Sequence, residues 1–400
     1  MNILLVDDDP IALRVVGALL RDQGHQVTIA RDGAEGLALF AAGNFPVIVT
    51  DWVMPNMDGI ELVGRIRSYT DRAYTYVIFL TAKGEHSDAV RALSEGADDL
   101  LAKPVQQADL VARLRVAERI LGLQTQLIAR NHQLESVNQR MQRDLDAAGR
   151  VQRALLPVRS PAIHGWHAAW RSQPCDELAG DTLNVFQLDE NHIAAYVLDV
   201  SGHGVSSALL AVQVSRLLSP LMSAGSMLKE PAAPPTHYRL VPPLELLRSL
   251  AARFPFQIES PQFFTIIYLV IDVRSGEAVI ASGGHPGPLM LTNDGVCRSL
   301  DVASNAIGML DVSQCEFVEV RLTVQPGERL VLYSDGVSEA RNQAGEVFDA
   351  PRIAVSLERS RERPLEAALD GVLADLATFT GGKAVGDDIS LLAIERDKSR

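Results

Sequence analysis

The sequence predicts an α/β domain at residues 1–118, a helical coiled-coil linker at 119–157 and an α+β domain at 158–396. Strand-like and helix-like segments alternate five times in the first region, which is typical of a doubly wound sheet of five parallel strands. Apolar residues then recur at alternating steps of three and four, as in a coiled coil. Strands dominate the last region, so we expect an antiparallel β-sandwich flanked by helices there.

Short apolar runs in the first region predict its five strands. They read ILLVD, HQVTIA, FPVIVTD, TYVIFLTA and DLLAK. Segments with helical spacing lie between them, at residues 11–24, 32–43, 58–68 and 87–97. A further helix begins at Gln107. This regular alternation predicts a parallel sheet that binds its ligands at the carboxyl ends of the strands.

The linker contains a seam in which nine of eleven positions are apolar and which Pro157 ends. A seam of about five heptads favours a parallel two-stranded coiled coil, and therefore a homodimer, over an amphipathic helix packed on its own domain. Polar residues at two seam positions weaken it locally. The seam consists of Ile120, Leu123, Leu127, Arg130, Leu134, Val137, Met141, Asp144, Ala148, Val151 and Leu155.

The last region contains eight strand-like segments. They are HAAWRS, LNVFQLD, HIAAYVLDV, FFTIIYLVID, GEAVIASGG, CEFVEVRL, ERLVLYSDG and DISLLAIE. Helical spacing occurs at Val205–Leu218, Pro243–Arg253 and Leu365–Phe379. The segment Ser219–Pro243 is rich in proline, alanine and serine and is predicted to be a long surface loop.

Composition excludes several classes of protein. The net charge of −13 argues against a nucleic-acid partner, because phosphate backbones require basic patches. The chain has no run of 18 or more apolar residues and begins with a strand-like segment instead of a signal peptide. Three cysteines are too few for a disulfide framework. We therefore expect a cytoplasmic protein without a membrane partner.

Five polar residues follow or end the strands of the first region. Asp7 and Asp8 follow the first strand, Asp51 ends the third, and Thr81 and Lys103 end the fourth and fifth. Such strand ends meet in one crevice, where carboxylates can hold Mg²⁺ and one of them can attack phosphorus. Acids that merely cap strands would explain one or two of these positions, but would leave the hydroxyl and ammonium groups unexplained.

Residues 1–120 closely resemble a two-component receiver domain. The resemblance implies a sensor kinase or phosphotransfer protein as a partner and Mg²⁺ as a cofactor. The family often has an aromatic switch residue where this chain has Leu100, which leaves the relay of phosphorylation open. The implied roles are phosphoacceptor for Asp51, magnesium ligands for Asp7, Asp8, Asp51 and the Val53 carbonyl, and phosphate sensing for Thr81 and Lys103.

Four motifs in the last region place aspartates at strand ends, three of them beside glycine. ELAGD ends at Asp181, LDVSGHG contains Asp199, YSDGVSEARN contains Asp335, and GDDIS contains Asp387 and Asp388. Oxygen ligands favour Mg²⁺ or Mn²⁺, and two such ions can activate a water molecule for attack. Any one of these motifs could be an ordinary turn. The four motifs together, in this order, predict a metal site.

The strings DVSGHG, SGGHPGPL, YSDGVSEARN and GDDISLL resemble the PPM family of metal-dependent serine/threonine phosphatases, in its SpoIIE-like branch. The resemblance covers about residues 160–396 and implies direct attack by metal-activated water without a phosphoenzyme. Asp181, Asp199 and Asp335 would be catalytic, and Asp199 would bridge two Mn²⁺ or Mg²⁺ ions. The implied metal ligands are Asp181, Asp199, the Val200 carbonyl, Asp335 and Asp387 or Asp388.

Two features near these motifs leave alternatives open. Ala179-Gly180 replaces the usual double glycine of the family, and Asn184 replaces an acidic residue, so we expect a modest effect on metal affinity. His203 and His285 could protonate a leaving oxygen near neutral pH, although such histidines more often stabilise their own loops.

Together the two resemblances predict a response regulator with a protein phosphatase output controlled at Asp51. They imply a phosphorylated anti-sigma-factor antagonist as the substrate. A non-catalytic adaptor that binds a sigma factor or another regulatory partner is the alternative, and a small-molecule phosphatase is a third. The adaptor ranks behind because the metal carboxylates that such proteins tend to lack are present here.

Overall fold

The computed structural model describes residues 1–70, 72–81, 93–157, 160, 163–202, 204–221, 225–233, 237–257, 262–383 and 385–398. The chain divides into two compact units, Met1–Gln139 and Arg140–Arg400. The division falls within the predicted linker. Each unit is described separately below.

A five-stranded parallel sheet forms the centre of the first unit, in the order β2-β1-β3-β4-β5. Apolar clusters cover both faces of this sheet, so its three central strands, β1, β3 and β4, are almost continuously buried, as is usual for parallel sheets. The doubly wound fold predicted from the sequence is confirmed. Its strands are β1 (Asn2–Val6), β2 (Gln26–Ala30), β3 (Val47–Asp51), β4 (Tyr76–Thr81) and β5 (Asp99–Ala102).

Three helices of this unit begin at aspartate caps. They are α1 (Pro10–Asp22), α2 (Gly33–Ala42) and α3 (Gly59–Arg67). The cap side chains of Asp9, Asp32 and Asp58 accept hydrogen bonds from backbone N–H groups in the first turn. These bonds satisfy donors that have no partner within the helix and fix where each helix starts. Most of the helix predicted over residues 87–97 lies outside the described residues.

Helix α4 extends over 47 residues, Gln107–Arg153. Leu110, Leu114 and Ala117 are buried in the core of the first unit. Further along, the apolar seam is exposed, for example 56% at Leu123 and 65% at Leu134. The long helix is therefore confirmed, while the coiled coil remains a prediction. Among the described residues, no helix is both long and apolar enough to cross a membrane.

Two antiparallel sheets pack face to face in the second unit. One has the order β15-β12-β11-β8-β7 and the other β14-β13-β16-β17-β6. Side chains from both sheets form the apolar layer between them. The strands are β6 (Trp166–Gln173), β7 (Thr182–Gln187), β8 (His192–Val200), β11 (Phe264–Asp272), β12 (Glu277–Gly283), β13 (Leu289–Leu291), β14 (Cys297–Ser299), β15 (Val318–Thr323), β16 (Arg329–Tyr333) and β17 (Ile389–Arg396).

Helices cover the outer face of each sheet, which gives the predicted sandwich. Helices α5 (Val205–Leu217) and α6 (Pro243–Arg253) pack on the first sheet. The second sheet is covered by α7 (Asp335–Ser338), α8 (Asp349–Arg359) and α9 (Leu365–Thr380). Two short strands, β9 (Lys229–Pro231) and β10 (Tyr238–Leu240), pair within the segment that the sequence predicted to be a loop.

Candidate functional sites

The first candidate site lies at the carboxyl ends of the strands in the first unit. One carboxylate oxygen from each of Asp7, Asp8 and Asp51 lies within 4.8 Å of the other two. The Lys103 Nζ atom lies 2.7 Å from Asp7 Oδ2 and 2.9 Å from Asp51 Oδ1. The structure therefore brings together four of the residues predicted for this site, and Lys103 bridges two of the carboxylates.

Burial and charge oppose each other in this site. Burial raises the pKa of Asp51, while the hydrogen bond and positive charge of Lys103 act to lower it. Burial also acts to lower the pKa of Lys103, but Asp7 and Asp51 more than offset this effect and the net shift is upward. The site thus contains its own cation, which compensates part of the negative charge.

The structure also shows where four further residues lie. Thr81 ends β4, and its backbone carbonyl accepts a hydrogen bond of 2.7 Å from the Lys103 backbone N–H. The first turn of α3 approaches the end of β3 closely, because a Cβ atom on Gly59 would lie 2.2 Å from the Asp51 carbonyl oxygen. Val53 follows β3 with its side chain exposed, and Leu100 lies partly buried against the core.

The second candidate site combines carboxylates from both sheets of the second unit. Asp181 directly precedes β7 and Asp199 lies in β8, so both belong to the first sheet. Asp335 begins α7 just beyond β16, and Asp387 precedes β17, in the second sheet. The charges of Asp335 and Asp387 both act on Asp199, and the charge of Asp199 acts on Asp181. The four predicted positions therefore converge.

Burial and mutual repulsion raise the pKa values of these carboxyl groups. The pKa of Asp199 rises to about 7, through burial and then the charges of Asp335 and Asp387. That of Asp335 rises to about 6, and that of Asp181 rises well above its ordinary value, mainly through burial. In the described part of the chain, no lysine or arginine forms a salt bridge with these three carboxylates.

This donor set fits hard divalent cations. All the converging groups are oxygen donors, which Mg²⁺ and Mn²⁺ prefer. The Asp181 Oδ2 atom is buried and has no hydrogen-bond partner among the described residues. A buried carboxylate oxygen without a partner is costly, and a bound cation would compensate it. The residues present therefore match the metal pair that the sequence predicted.

Asp388 has different surroundings from its neighbour Asp387. It is only 4% exposed, whereas Asp387 is exposed. Its Oδ1 atom accepts a 2.8 Å hydrogen bond from the backbone N–H of Cys175, and its Oδ2 atom accepts bonds of 2.6 and 3.2 Å from Gly180 and Asp181. Asp388 thus holds the segment 175–181, which carries Asp181.

Gln152, near the end of α4, holds the same segment in another way. Its Nε2 atom donates to the Ala179 carbonyl at 2.6 Å, and its Oε1 atom accepts from the Ala179 N–H at 3.0 Å. A Cβ atom on Gly149 would lie 2.3 Å from the Glu177 carbonyl oxygen, so a glycine is required for this close approach. Sequence reasoning missed Gln152. The glycine three residues before it, in an otherwise glycine-poor helix, was the available signal.

Glycines also keep the motif backbones close together. A Cβ atom on Gly180 would lie 2.8 Å from the Val200 carbonyl oxygen, and one on Gly336 would lie 2.0 Å from that of Asp388. Larger residues would push these segments apart. The Asp-Gly and Gly-Asp pairs are therefore packing requirements of the site as well as turn signals.

Of the two histidines considered from the sequence, the structure describes only His285, and it is not placed as a proton donor. His203 lies outside the described residues. The Nδ1 atom of His285 lies 2.7 Å from Thr265 Oγ1, and burial lowers its pKa to about 3. A histidine with this pKa is neutral near pH 7. His285 also exchanges backbone hydrogen bonds with the Ser282 hydroxyl, so it stabilises its own loop.

Comparison with known proteins identifies both units. A family model described as Stage II sporulation protein E (SpoIIE) matches residues 189–397, more than half of the chain. The chain belongs to the SpoIIE family. A second model, the response regulator receiver domain, matches residues 3–115. The chain therefore combines a receiver domain with a SpoIIE-family domain.

Individual relatives each match part of this chain. Transcriptional regulatory protein TrcR of Mycobacterium tuberculosis is 40% identical over 115 residues, which are 29% of this chain and 44% of TrcR. Protein IcfG of Synechocystis is 25% identical over 267 residues, 64% of this chain and 42% of IcfG. This chain thus spans less than half the length of either relative.

A solved structure supports the fold of the SpoIIE domain. The SiaA-PP2C domain of Pseudomonas aeruginosa superimposes with a TM-score of 0.53 and 21% sequence identity. The match covers 65% of this chain and 99% of that one. At this identity the likeness establishes a common fold, which agrees with the two packed antiparallel sheets described above.

Proposed function

We propose that this response regulator hydrolyses phosphoserine or phosphothreonine on a protein partner under the control of phosphorylation at Asp51. One observation carries the proposal: the buried carboxylate of Asp181 and the half-buried carboxylates of Asp199 and Asp335 converge from two sheets of the SpoIIE domain without a compensating lysine or arginine among the described residues. Such an arrangement is unfavourable for a purely structural core and favourable for binding divalent cations.

In this proposal two Mn²⁺ or Mg²⁺ ions are held by the carboxylates of Asp181, Asp199, Asp335 and Asp387 and by the Val200 carbonyl. When bound, they supply a water molecule made acidic enough to attack phosphorus directly. Asp199 lies between carboxylates of both sheets, so it would contribute to the binding of both ions, as the family resemblance implies. We assign Asp388 to positioning, since both of its oxygens accept backbone hydrogen bonds from the segment 175–181.

The protein's own residues also determine how phosphate enters. Asp387 is exposed, so the site is accessible to substrate on that side, while Asp181 is buried and excludes water behind the ligands. His285 stays neutral and outside the proton transfer. The phosphorylated partner that the family resemblance suggests is an anti-sigma-factor antagonist, whose dephosphorylation would free it to bind an anti-sigma factor.

Control is proposed to begin in the receiver domain. Asp7, Asp8, Asp51 and the Val53 carbonyl would hold Mg²⁺ while a sensor kinase or phosphotransfer protein phosphorylates Asp51. Thr81 and Lys103 would then contact the phosphoryl oxygens. In an acetyl phosphate assay, we expect wild type to take up phosphate and Asp51→Asn to take up none. Equal uptake by the two would show that another residue is the acceptor.

Helix α4 is proposed to pair with the same helix of a second chain. Its exposed apolar seam, including Leu127, Leu134 and Val137, has no cover in the single chain. We expect wild type to sediment as a dimer at micromolar concentration and Leu134→Lys to shift towards monomer. Gln133→Lys, one residue off the seam, is the matched control and should remain dimeric. A monomeric wild-type chain would remove this part of the proposal.

The central experiment is hydrolysis of p-nitrophenyl phosphate and of phosphoprotein substrates by the full chain, with and without beryllofluoride. We expect Mn²⁺-dependent turnover that changes on beryllofluoride addition in wild type and stays constant in Asp51→Asn. Equal turnover with and without beryllofluoride would show that the receiver domain does not control the activity of the SpoIIE domain. Absence of metal-dependent turnover, with tight binding of a partner, would instead support the adaptor.

A further inference from the structure

A threonine and a histidine that contact each other adjoin the proposed metal site of the SpoIIE domain. Thr265 lies directly opposite Asp199 in the pairing of β8 with β11. Residues opposite each other in an antiparallel pair point their side chains to the same face of the sheet, with Cβ atoms about 4.5–5.5 Å apart. The Thr265 hydroxyl and the Asp199 carboxylate therefore share one end of one sheet face.

This face is the one turned towards the second sheet. Side chains alternate along a strand, so Asp199 continues the row of Ala195 and Val197, and Thr265 continues that of Ile267. Those three apolar residues belong to the layer between the two sheets. At the end of that layer, the apolar rows of both strands give way to a polar side chain.

An open cavity of about 590 Å³ begins at this end of the layer. Thr265, His285 and Asp335, which is a proposed metal ligand, are among the residues that line it. No lysine or arginine is among the lining residues that the structure describes. A phosphoryl group in this cavity would therefore depend on neutral side chains for hydrogen bonds beyond the contribution of the proposed cations.

His285 is held firmly behind Thr265. Its Nδ1 atom lies 2.7 Å from Thr265 Oγ1, and the residue is only 4% exposed. The Ser282 hydroxyl exchanges hydrogen bonds with the His285 backbone, and a Cβ atom on Gly284 would lie 2.6 Å from the Ala306 backbone nitrogen. This close packing fixes the imidazole ring, and with it the contact to the threonine.

The hydrogen bonds of His285 favour one direction for the Thr265 hydroxyl. Burial lowers the pKa of His285 to about 3, so the neutral ring carries a single N–H group. The Tyr333 carbonyl acts on this pKa, but the Nε2 atom has no hydrogen-bond partner among the described residues. Hydrogen on Nε2 would be a buried donor without an acceptor, whereas hydrogen on Nδ1 is donated to the threonine oxygen. The hydroxyl hydrogen of Thr265 is then free to point into the cavity.

We propose that Thr265 donates a hydrogen bond to a phosphoryl oxygen of the phosphoserine or phosphothreonine substrate, and that His285 is the positioning residue that orients the hydroxyl. This inference rests on the proposed function of the same site. Ionised phosphoryl oxygens are strong acceptors, and a hydrogen bond to a charged acceptor is stronger than one between neutral groups. The bond adds binding energy for phosphate without adding a ligand for the metal ions.

The test is titration calorimetry of inorganic phosphate into the Mn²⁺-loaded full chain, which does not depend on turnover. Thr265→Val keeps the shape of the side chain but removes the hydroxyl. We expect phosphate affinity to fall about tenfold, equivalent to about 1.4 kcal/mol, with Mn²⁺ affinity unchanged. Thr265→Ser restores the hydroxyl and should bind phosphate nearly as tightly as wild type.

The matched control is Thr323→Val, which changes an exposed threonine of the same sheet and should bind phosphate as wild type does. Wild-type phosphate affinity in Thr265→Val would overturn the proposal. So would an equal loss of Mn²⁺ affinity, because the threonine would then only support the metal site. If wild type binds phosphate through Thr265 but hydrolyses no phosphorylated substrate, the contact stands and the phosphatase proposal fails.

The role of His285 is tested in the same assay with two substitutions. His285→Asn places an amide nitrogen near the position of Nδ1, so it can still donate to Thr265, whereas His285→Leu cannot. We expect phosphate affinity to decrease in the order wild type, His285→Asn, His285→Leu. Wild-type affinity in His285→Leu would show that the hydroxyl is oriented without the histidine and would overturn its positioning role.

Discussion

The two acidic sites of this protein handle crowded negative charge in opposite ways. In the receiver domain, Lys103 lies within 3 Å of both Asp7 and Asp51 and supplies a permanent positive charge. In the SpoIIE domain, burial and neighbouring carboxylates raise the pKa of Asp199 to about 7, and no such ammonium group is described there. The receiver site therefore carries its own compensating charge, whereas the described residues of the SpoIIE site supply none, which agrees with the proposal that cations bind there.

This contrast agrees with the two kinds of chemistry. A receiver accepts one phosphoryl group on an aspartate, and a fixed ammonium next to the acceptor can stabilise the incoming oxygens. A hydrolase of this family needs an activated water molecule, which a lysine cannot provide. In the proposed function, the same residue type, aspartate at strand ends, supplies a nucleophile in one domain and metal ligands in the other.

The largest expected effect is on catalysis at Asp199. Asp199→Asn keeps the shape of the side chain but removes the charge that would bridge the two ions. We expect kcat/KM for p-nitrophenyl phosphate to fall by more than about 100-fold. Loss of a residue that merely supports a metal ligand can already cost up to about 100-fold, and Asp199 is a proposed ligand itself. Phosphate uptake by the receiver should stay unchanged.

The control for this variant is Asp146→Asn, which changes an exposed aspartate of the same unit. It should retain wild-type turnover. Activity of Asp199→Asn within a few-fold of wild type would show that the converging carboxylates do not form the catalytic site.

Charge-removing substitutions in the two sites should change stability in opposite directions when metal is absent. Asp181→Asn removes a buried acid whose ionisation is opposed by its neighbours, so the thermal transition of the metal-free chain should move up by several degrees. Asp7→Asn removes a partner of Lys103 and should destabilise its domain by about 1–3 kcal/mol. Calorimetry in EDTA at pH 8 measures both shifts.

Exposed aspartates provide controls for the stability experiment. Asp22→Asn in the first unit and Asp146→Asn in the second should each leave the transitions where they are in wild type. Adding Mn²⁺ should then stabilise wild type more than Asp181→Asn. If both Asp181→Asn and Asp7→Asn destabilise the metal-free chain, the contrast between the sites is wrong.

A smaller effect is expected at Gln152, which does not touch the proposed ions. Gln152→Ala removes both hydrogen bonds to Ala179, so the segment that carries Asp181 becomes less constrained. We expect roughly a tenfold weaker Mn²⁺ affinity, measured by titration calorimetry, with kcat largely restored at saturating Mn²⁺. Gln126→Ala, in an exposed part of α4, should behave as wild type.

Gln152→Glu sharpens this experiment. Its carboxylate can still accept from the Ala179 N–H but cannot donate to the Ala179 carbonyl, so an intermediate Mn²⁺ affinity is expected. If Gln152→Ala and Gln152→Glu both bind Mn²⁺ as tightly as the control Gln126→Ala, the contact of Gln152 is structural and does not influence the metal site.

Local patterns were sufficient to predict most of the fold. Alternating apolar runs gave the five strands of the receiver sheet and the eight longer strands of the SpoIIE domain, because strand and helix periodicities are encoded in neighbouring residues. Strands β13 and β14 were missed because three residues are too few to show alternation. Helix α8 was missed as well, and the paired strands β9 and β10 lie in a segment whose composition indicated a loop.

The sequence was enough to predict which side chains are available for the proposed chemistry: Asp51 with Lys103 in one domain, and aspartates beside glycines in the other. The contacts that position these groups became visible only in the folded chain. Asp388 reaches the backbone of Asp181 across 207 positions of sequence, and Gln152 reaches Ala179 from a helix that precedes the sandwich. Such contacts depend on which strands pair and which faces pack. Pairing and packing are decided by the burial of whole layers, which short sequence patterns do not reveal.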